Sequence, residues 1–245
     1  QGNSFGNQID YFFGPDSPIA NSSALARNIA GHSYYTTGGN KKNIRSSVWN
    51  KASQIPDLKV WSTEYCPLGN EDLSGLGWSN WHRDYGMDVA LYVHEIIHAD
   101  LVYANASVWQ WWTAISPYDY PDGLVYVSKD DFGASYRDSK LLWSIGNFSR
   151  FVRPGAQRIE VVSESEDILV SAFKDDFKGE TIIIISNANN TPKAIKLDLG
   201  NDAMIGQPFI TSDKDTHKLL PMKTLNLNSA FEMPAKSIIS FIIKN

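Results

Sequence analysis

The chain has 245 residues, 42% hydrophobic and 20% charged, with a formal net charge of −5 at pH 7. That is the make-up of a globular protein of one large domain or two small ones, and the acidic balance excludes the basic footprint of a nucleic-acid or anionic-membrane binder. No stretch of about 18 apolar residues is present to span a membrane, and the single cysteine, Cys66, excludes an internal disulfide and any multi-cysteine zinc site.

The opening stretch "QGNSFGNQIDYFFG" is polar and glycine-rich, shows no secretory leader, and reads as the middle of a protein. "IAGHSYYTT" (29–37) reads as a strand, "NIRSSVWNKAS" (43–53) as a helix and "LKVWSTEYC" (58–66) as a second strand. "RDYGMDVALYVHEIIHADL" (83–101) carries apolar residues at 89, 93, 96, 97 and 101, a helical period. "SVWQWWTAIS" (107–116) reads as a third strand. "DSKLLWSIGNFSRFVRPG" (138–155) reads as a second strong helix, with Asp138 as its cap, positions 141, 145, 148 and 152 as its apolar stripe, and Pro154-Gly155 as its stop. This alternation predicts βα units and a parallel sheet.

Beyond residue 155 the pattern changes. "RIEVVSES", "DILVSAFKD", "ETIIIISNANN", "KAIKLDLG", "QPFITSD" and "AKSIISFIIKN" are short β-rich runs separated by turn residues, which predicts an antiparallel all-β module. Three βα units do not close a (β/α)₈ barrel, which takes about 250 residues. The expected class is therefore α/β plus all-β. Residues 1–155 are the C-terminal strands and helices of a TIM barrel whose N-terminal half is absent, and residues 156–245 are an antiparallel β-sandwich side domain. Half a barrel has open strand edges and an apolar inner face. The expected protein partner is thus the N-terminal half of the same barrel, or a second copy associating through that edge.

Tryptophan and tyrosine bunch between residues 49 and 143. Glu64 ends the second strand, and a carboxylate at the C-terminal end of a barrel strand points into the active-site mouth. Trp61, Thr63 and Tyr65 surround it, His32 and Tyr34 end the preceding strand, and Trp109 and Trp111 alternate onto one face of the next. A carboxylate for the anomeric carbon, polar groups for hydroxyls and rings for stacking are what a sugar site needs. Trp78, Trp81 and His82 fall in the long loop after that strand, where specificity is commonly shaped. Trp109 is expected deeper, as core, and Cys66 is expected as a buried thiol.

These residues carry a resemblance. "GHSYY", "VWSTEYC", "WQWWTAISP" and "SKLLWSIGNFSRFVRPGAQRIEV" resemble the sixth, seventh and eighth barrel strands and the last barrel helix of glycoside hydrolase family 30, the glucosylceramidase and bacterial β-glycanase type. "WSTEYC" is similar to the branch that cuts β-1,6-galactan. The resemblance implies a retaining β-glycosidase acting on a carbohydrate polymer, secreted or periplasmic, without cofactor or metal. It implies Glu64 as nucleophile and His32, Tyr34, Trp61, Trp78 and Trp111 as substrate-binding residues. The family's acid/base is a glutamate after an asparagine on the fourth strand. Asn70-Glu71 has that pair, but in a loop after the nucleophile strand, so the acid/base is expected outside this chain and the chain alone is expected to be inactive.

Two rival classes remain. His94, Glu95 and His98 have the HExxH spacing of a zinc peptidase. Such a site needs a third protein ligand. Leu101 and Ala104 stand where the extended motif has Gly and His, and the helix at 138–152 has no glutamate. The barrel reading puts this helix on the outside, with its histidines remote from the mouth. The other rival is a noncatalytic carbohydrate-binding module. The β part offers Phe173, Phe177, Phe209, Phe231 and Phe241 but no Trp or Tyr, so it reads as a structural sandwich.

Overall fold

The computed structural model describes residues 6–19, 22–67, 82–128, 133–200 and 204–244. Two compact units are present, Gln1–Arg83 with Glu95–Gly123, and Asp84–His94 with Leu124–Asn245.

The first unit begins with α1 (Asn7–Phe13) and α2 (Ser22–Leu25), then alternates β1 (Asn28–His32), α3 (Lys41–Ala52), β2 (Lys59–Glu64), α4 (Met87–Val102) and β3 (Val108–Trp109), and ends near β4 (Ile115–Ser116). The strands β1, β2 and β3 form a parallel sheet in that order. This is the βα alternation read from the sequence. Ile29 of β1 and Val60 of β2 pack with Ile9, Val48, Ala52 and Leu58 into a core between the sheet and its helices.

The expected third strand is broken. β3 stops at Trp109, although the Gln110 N–H still reaches the Ser62 carbonyl at 2.9 Å, and β4, which begins at Ile115, is not a strand of this sheet. Nor is α4 amphipathic, and it does not present an outer polar face. Asp88 is its only exposed residue, and even His94, His98 and Asp100 are buried. A helix that is mostly apolar around its circumference is one that is covered all round.

The second unit contains the first turns of α4, the antiparallel pair β5 (Val125–Val127) and β6 (Tyr136–Asp138), and α5 (Lys140–Ser149). The sandwich strands follow: β7 (Gln157–Ile159), β8 (Ile168–Asp175), β9 (Glu180–Asn187), β10 (Lys193–Ile195), β11 (Ile205–Ser212), β12 (Leu220–Pro221), β13 (Leu225–Asn226), β14 (Phe231–Met233) and β15 (Ser237–Lys244). The main sheet runs β12-β11-β15-β9-β8-β7, all antiparallel, with β13 also on β11; β10 and β14 form a second sheet. Ile183, Ile185, Ile210, Ile239 and Phe241 face a core to which Ile195 and Phe231 of the second sheet contribute. The opposite face carries Ile184, Ser240 and Phe209, neighbours in register, and α5 lies on it. Both faces are covered, which is why "TIIIIS" and "SIISFII" read as continuous apolar runs rather than alternating ones.

Asp138 does not cap α5. It ends β6, accepts the Trp143 indole N–H and pairs with Lys218, and Ser139 takes the N-cap position without a side-chain cap bond. The buried stripe of α5 is Leu141, Ser144, Asn147 and Phe148, with Ile145 and Val152 only half-buried. Ser144 is inside because its Oγ donates to the Ala90 carbonyl of α4 at 3.0 Å, and Asn147 because the sheet offers it partners. Asn147 Nδ2 donates to Thr211 Oγ1 at 2.7 Å, and Ser240 Oγ donates to Asn147 Oδ1 at 2.8 Å.

Candidate active site

Glu64 reaches its position through an irregularity in β2. Asn28, Ile29, Ala30 and Gly31 pair one-to-one with Lys59, Val60, Trp61 and Ser62, but His32 pairs with Glu64. Thr63 is the extra residue of a β-bulge. Regular alternation would put Glu64 on the face of Val60 and Ser62, toward the helices. The bulge turns it onto the opposite face, beside His32 and on the side of Trp61, whose partner is Ala30.

Tyr34 Oη donates to Glu64 Oε1 at 3.0 Å and lies 3.7 Å from Cys66 Sγ. His32 Nδ1 stands 3.6 Å from the same carboxylate oxygen, edge-on to the Tyr34 ring. The Tyr34 phenol is held well above its ordinary ionisation range, first by burial and then by the neighbouring Cys66 and Glu64. It stays a donor at any physiological pH. His32, Tyr34 and Glu64 are thus brought together, all only partly buried.

Trp111 sits to one side. Its ring stacks on Trp109 at 6.2 Å and meets Tyr65 at 6.3 Å, and its indole N–H is spent on the carbonyls of Asp122 at 2.8 Å and Thr113 at 3.2 Å. Trp109 is half-buried and donates to Asp100 Oδ2 at 2.9 Å. Trp112, which sequence reasoning missed, is 54% exposed, and its main-chain N–H donates to the carbonyl of Tyr65, the residue after Glu64, at 3.0 Å. The doubled "WW" was the available signal, but a regular strand through residue 116 assigned the site-facing role to Trp111.

Among the loop residues, His82 is exposed and lies 2.6 Å from Asp119 Oδ2. The Arg83 N–H, first, and His82, second, hold the Asp119 carboxyl below its usual range. Tyr120 Oη bonds the Pro67 carbonyl at 2.6 Å, tying the loop after β3 to the segment after Glu64. Trp78, Trp81, Asn70 and Glu71 lie outside the described residues.

The HExxH residues face different neighbours. The His94 ring packs on Phe148 at 4.9 Å, His98 is edge-on to Tyr103, and Glu95 pairs with Lys41 at 2.8 Å. Among the described residues no three His, Cys, Asp or Glu side chains converge into a metal cage.

Sequence comparison matches residues 1–126 to O-Glycosyl hydrolase family 30 and residues 155–241 to the Glycosyl hydrolase family 30 beta sandwich domain. The chain belongs to glycoside hydrolase family 30. This family 30 chain is 26% identical over 191 residues to the glucuronoxylanase XynC of Bacillus subtilis, covering 76% of this chain and 40% of the relative. It superposes on a conserved exported protein from Bacteroides fragilis with a TM-score of 0.79 at 25% identity, over 96% of this chain and 50% of that one. The catalytic domain of a xylanase C from Talaromyces cellulolyticus gives a TM-score of 0.68 at 22% identity, over 91% and 47%. The chain therefore spans half or less of the length of these relatives. Its architecture is the C-terminal part of a TIM barrel followed by a β-sandwich. No helix among the described residues is long and apolar enough to cross a membrane.

Proposed function

We propose that this family 30 chain supplies the nucleophile half of a retaining β-glycoside hydrolase acting on a β-linked polysaccharide, in a secreted or periplasmic setting. The observation that carries the reading is Glu64, turned by the β2 bulge onto the face of His32 and hydrogen-bonded by Tyr34. In the retaining mechanism a carboxylate attacks the anomeric carbon to form a glycosyl-enzyme, and a second carboxyl about 5–5.5 Å away protonates the leaving oxygen and then activates water. Glu64 takes the first role. Tyr34 orients its carboxylate by a donor that does not ionise, His32 serves the hydroxyls beside it, and Trp61, Trp78, Trp111 and the exposed Trp112 serve the sugar faces. The acid/base comes from the N-terminal half of the barrel, the part of the relatives that this chain does not cover. That half is the chain's main protein partner, with self-association through the open edge of β1 as its substitute. The domain boundary belongs near residue 155, between the two matched regions.

The substrate follows from two supports: xylan from the names of the relatives, and β-1,6-galactan from the likeness of "WSTEYC" to that branch. The test is hydrolysis of aryl β-glycosides, glucuronoxylan and β-1,6-galactan by the chain alone and with the N-terminal half supplied. Glu64→Gln is assayed in both forms. Activity only in the longer form, lost on Glu64→Gln, is expected. Activity of the chain by itself would place the acid/base within these 245 residues and refute the division of labour. Undiminished activity of Glu64→Gln would refute the nucleophile.

A further inference from the structure

We infer that Asp100, on the helix that carries the HExxH spacing, is a positioning residue that sets how Glu64 is presented. The inference rests on the reading of Glu64 as nucleophile. Asp100 is fully buried, and its carboxylate gathers all three strands of the parallel sheet. Oδ2 accepts from Ser33 Oγ at 2.7 Å, from Ser62 Oγ at 3.0 Å and from Trp109 Nε1 at 2.9 Å. Oδ1 accepts from Nε of Arg45, itself fully buried, at 2.6 Å. With their hydrogens given to Asp100, Ser33 Oγ and Ser62 Oγ lie 3.0 Å apart across the strands.

Each of these partners adjoins a site residue. Ser33 stands between His32 and Tyr34. Ser62 is the last paired residue before the bulge that turns Glu64. Trp109 carries Trp111 on its ring. Arg45 Nη1 continues to the Thr36 carbonyl at 2.7 Å, and Thr36 Oγ1 closes back on the Ser33 carbonyl at 2.6 Å. Between them Tyr35 is held at φ 61°, a left-handed conformation unfavourable for a bulky residue, although its side chain is mostly exposed. A buried ion pair adds little net stability over an apolar equivalent, and its best-attested use is to fix registry. Here the registry is that of the bulge. With one acceptor joining the residue before the bulge to the residue between His32 and Tyr34, Glu64 and Tyr34 cannot move independently.

The test compares Ser62→Ala, Asp100→Asn and the double variant, with crystal structures of each and kinetics in the form of the protein that hydrolyses an aryl β-glycoside. Ser62→Ala removes one bond and leaves the ion pair intact. Its kcat should fall about 10-fold with KM within about twofold, and that of Asp100→Asn about 100-fold, since a misplacement near 1 Å has that effect. The double variant should be no slower than Asp100→Asn alone, because both act through one network. The crystals should show the Tyr34 Oη to Glu64 Oε1 separation opened past hydrogen-bonding distance. If Asp100→Asn does not fold, Ser62→Ala decides. A separation that stays at 3.0 Å in the folded variants, or losses that multiply in the double variant, would overturn the inference. The crystallographic readout needs no activity, so it stands even if Glu64→Gln proves active and the nucleophile reading falls.

Discussion

Asn147→Ala removes the polar joint between α5 and the sandwich. Nδ2 donates to Thr211 Oγ1 at 2.7 Å and to the Trp143 carbonyl at 2.9 Å, and Oδ1 accepts from Ser240 Oγ at 2.8 Å. The partners are not stranded by the change. Ser240 Oγ keeps the Asn147 main-chain carbonyl at 2.9 Å, and Thr211 Oγ1 keeps the Leu219 N–H at 3.3 Å. The loss is therefore the two Nδ2 bonds and one branch of the shared Ser240 hydrogen, at about 1 kcal/mol for each full bond and without a full desolvation penalty, giving a destabilisation of about 2–3 kcal/mol. Urea unfolding with slopes of about 1–3 kcal/mol/M should then show the midpoint lowered by about 1–3 M. Because the chain has two units, the transition is best followed by hydrogen exchange of the amides of β15, where Ser240 sits. A loss below about 0.5 kcal/mol, within the range of an inconsequential surface change, would refute the reasoning. It would mean that apolar packing such as the Phe151–Phe209 contact holds the helix on the sheet without the polar joint.

Three further outcomes are expected. Tyr34→Phe removes a hydrogen bond to a charged acceptor, worth about 1.5–3 kcal/mol. This should lower kcat/KM about 10- to 150-fold with little change in Tm, and a change under about twofold would show that Tyr34 does not orient Glu64. Gly206→Ala would put a Cβ 2.7 Å from Leu227 Cδ1 and 3.1 Å from Phe241 Cδ1, so overpacking should cost about 1–3 kcal/mol in chemical denaturation, partly recovered in a Leu227→Val background. The Asp84 carboxyl is pushed up to about 6, first by burial, against the Gly86 N–H bond that lowers it, with Asp88 adding to the rise. The folded chain therefore holds more protons than the unfolded one between about pH 4 and 6, and stability falls as pH rises through that window. Asp84→Asn lacks this penalty, so it should gain about 1–3 kcal/mol over the wild type above pH 6 and nothing below pH 4, read from denaturation midpoints across pH. A gain that is the same at all pH values would refute the assignment.

Local pattern carried the elements and much of the site's composition. The βα alternation, the change to short β runs after residue 155, and the placing of His32, Tyr34 and Glu64 at adjacent strand ends follow from periodicities that the chain itself displays. They were legible because burial against one layer leaves a repeat in the sequence. Polar residues recruited to interiors left no such mark. Ser144 and Asn147 broke the expected stripe of α5 because their partners, Ala90 on α4 and Thr211 and Ser240 in the sandwich, are 54, 64 and 93 residues away. The HExxH spacing, set aside for want of a third ligand, has the same limit. A spacing fixes which side chains share a helix face, but not that Phe148 and Tyr103 lie against those faces.

The sequence by itself determined that a glutamate would end the second parallel strand, flanked by histidine, tyrosine and tryptophan. Which way that glutamate points was a tertiary decision. Strict alternation from Val60 would send it toward the helices, and only the pairing of His32 with Glu64, skipping Thr63, turns it to the other face. A bulge costs a ladder position, and the return comes from groups distant in the chain. Ser33, Trp109 and Arg45 meet on one buried carboxylate of α4, and no stretch of sequence short enough to carry a motif contains them together.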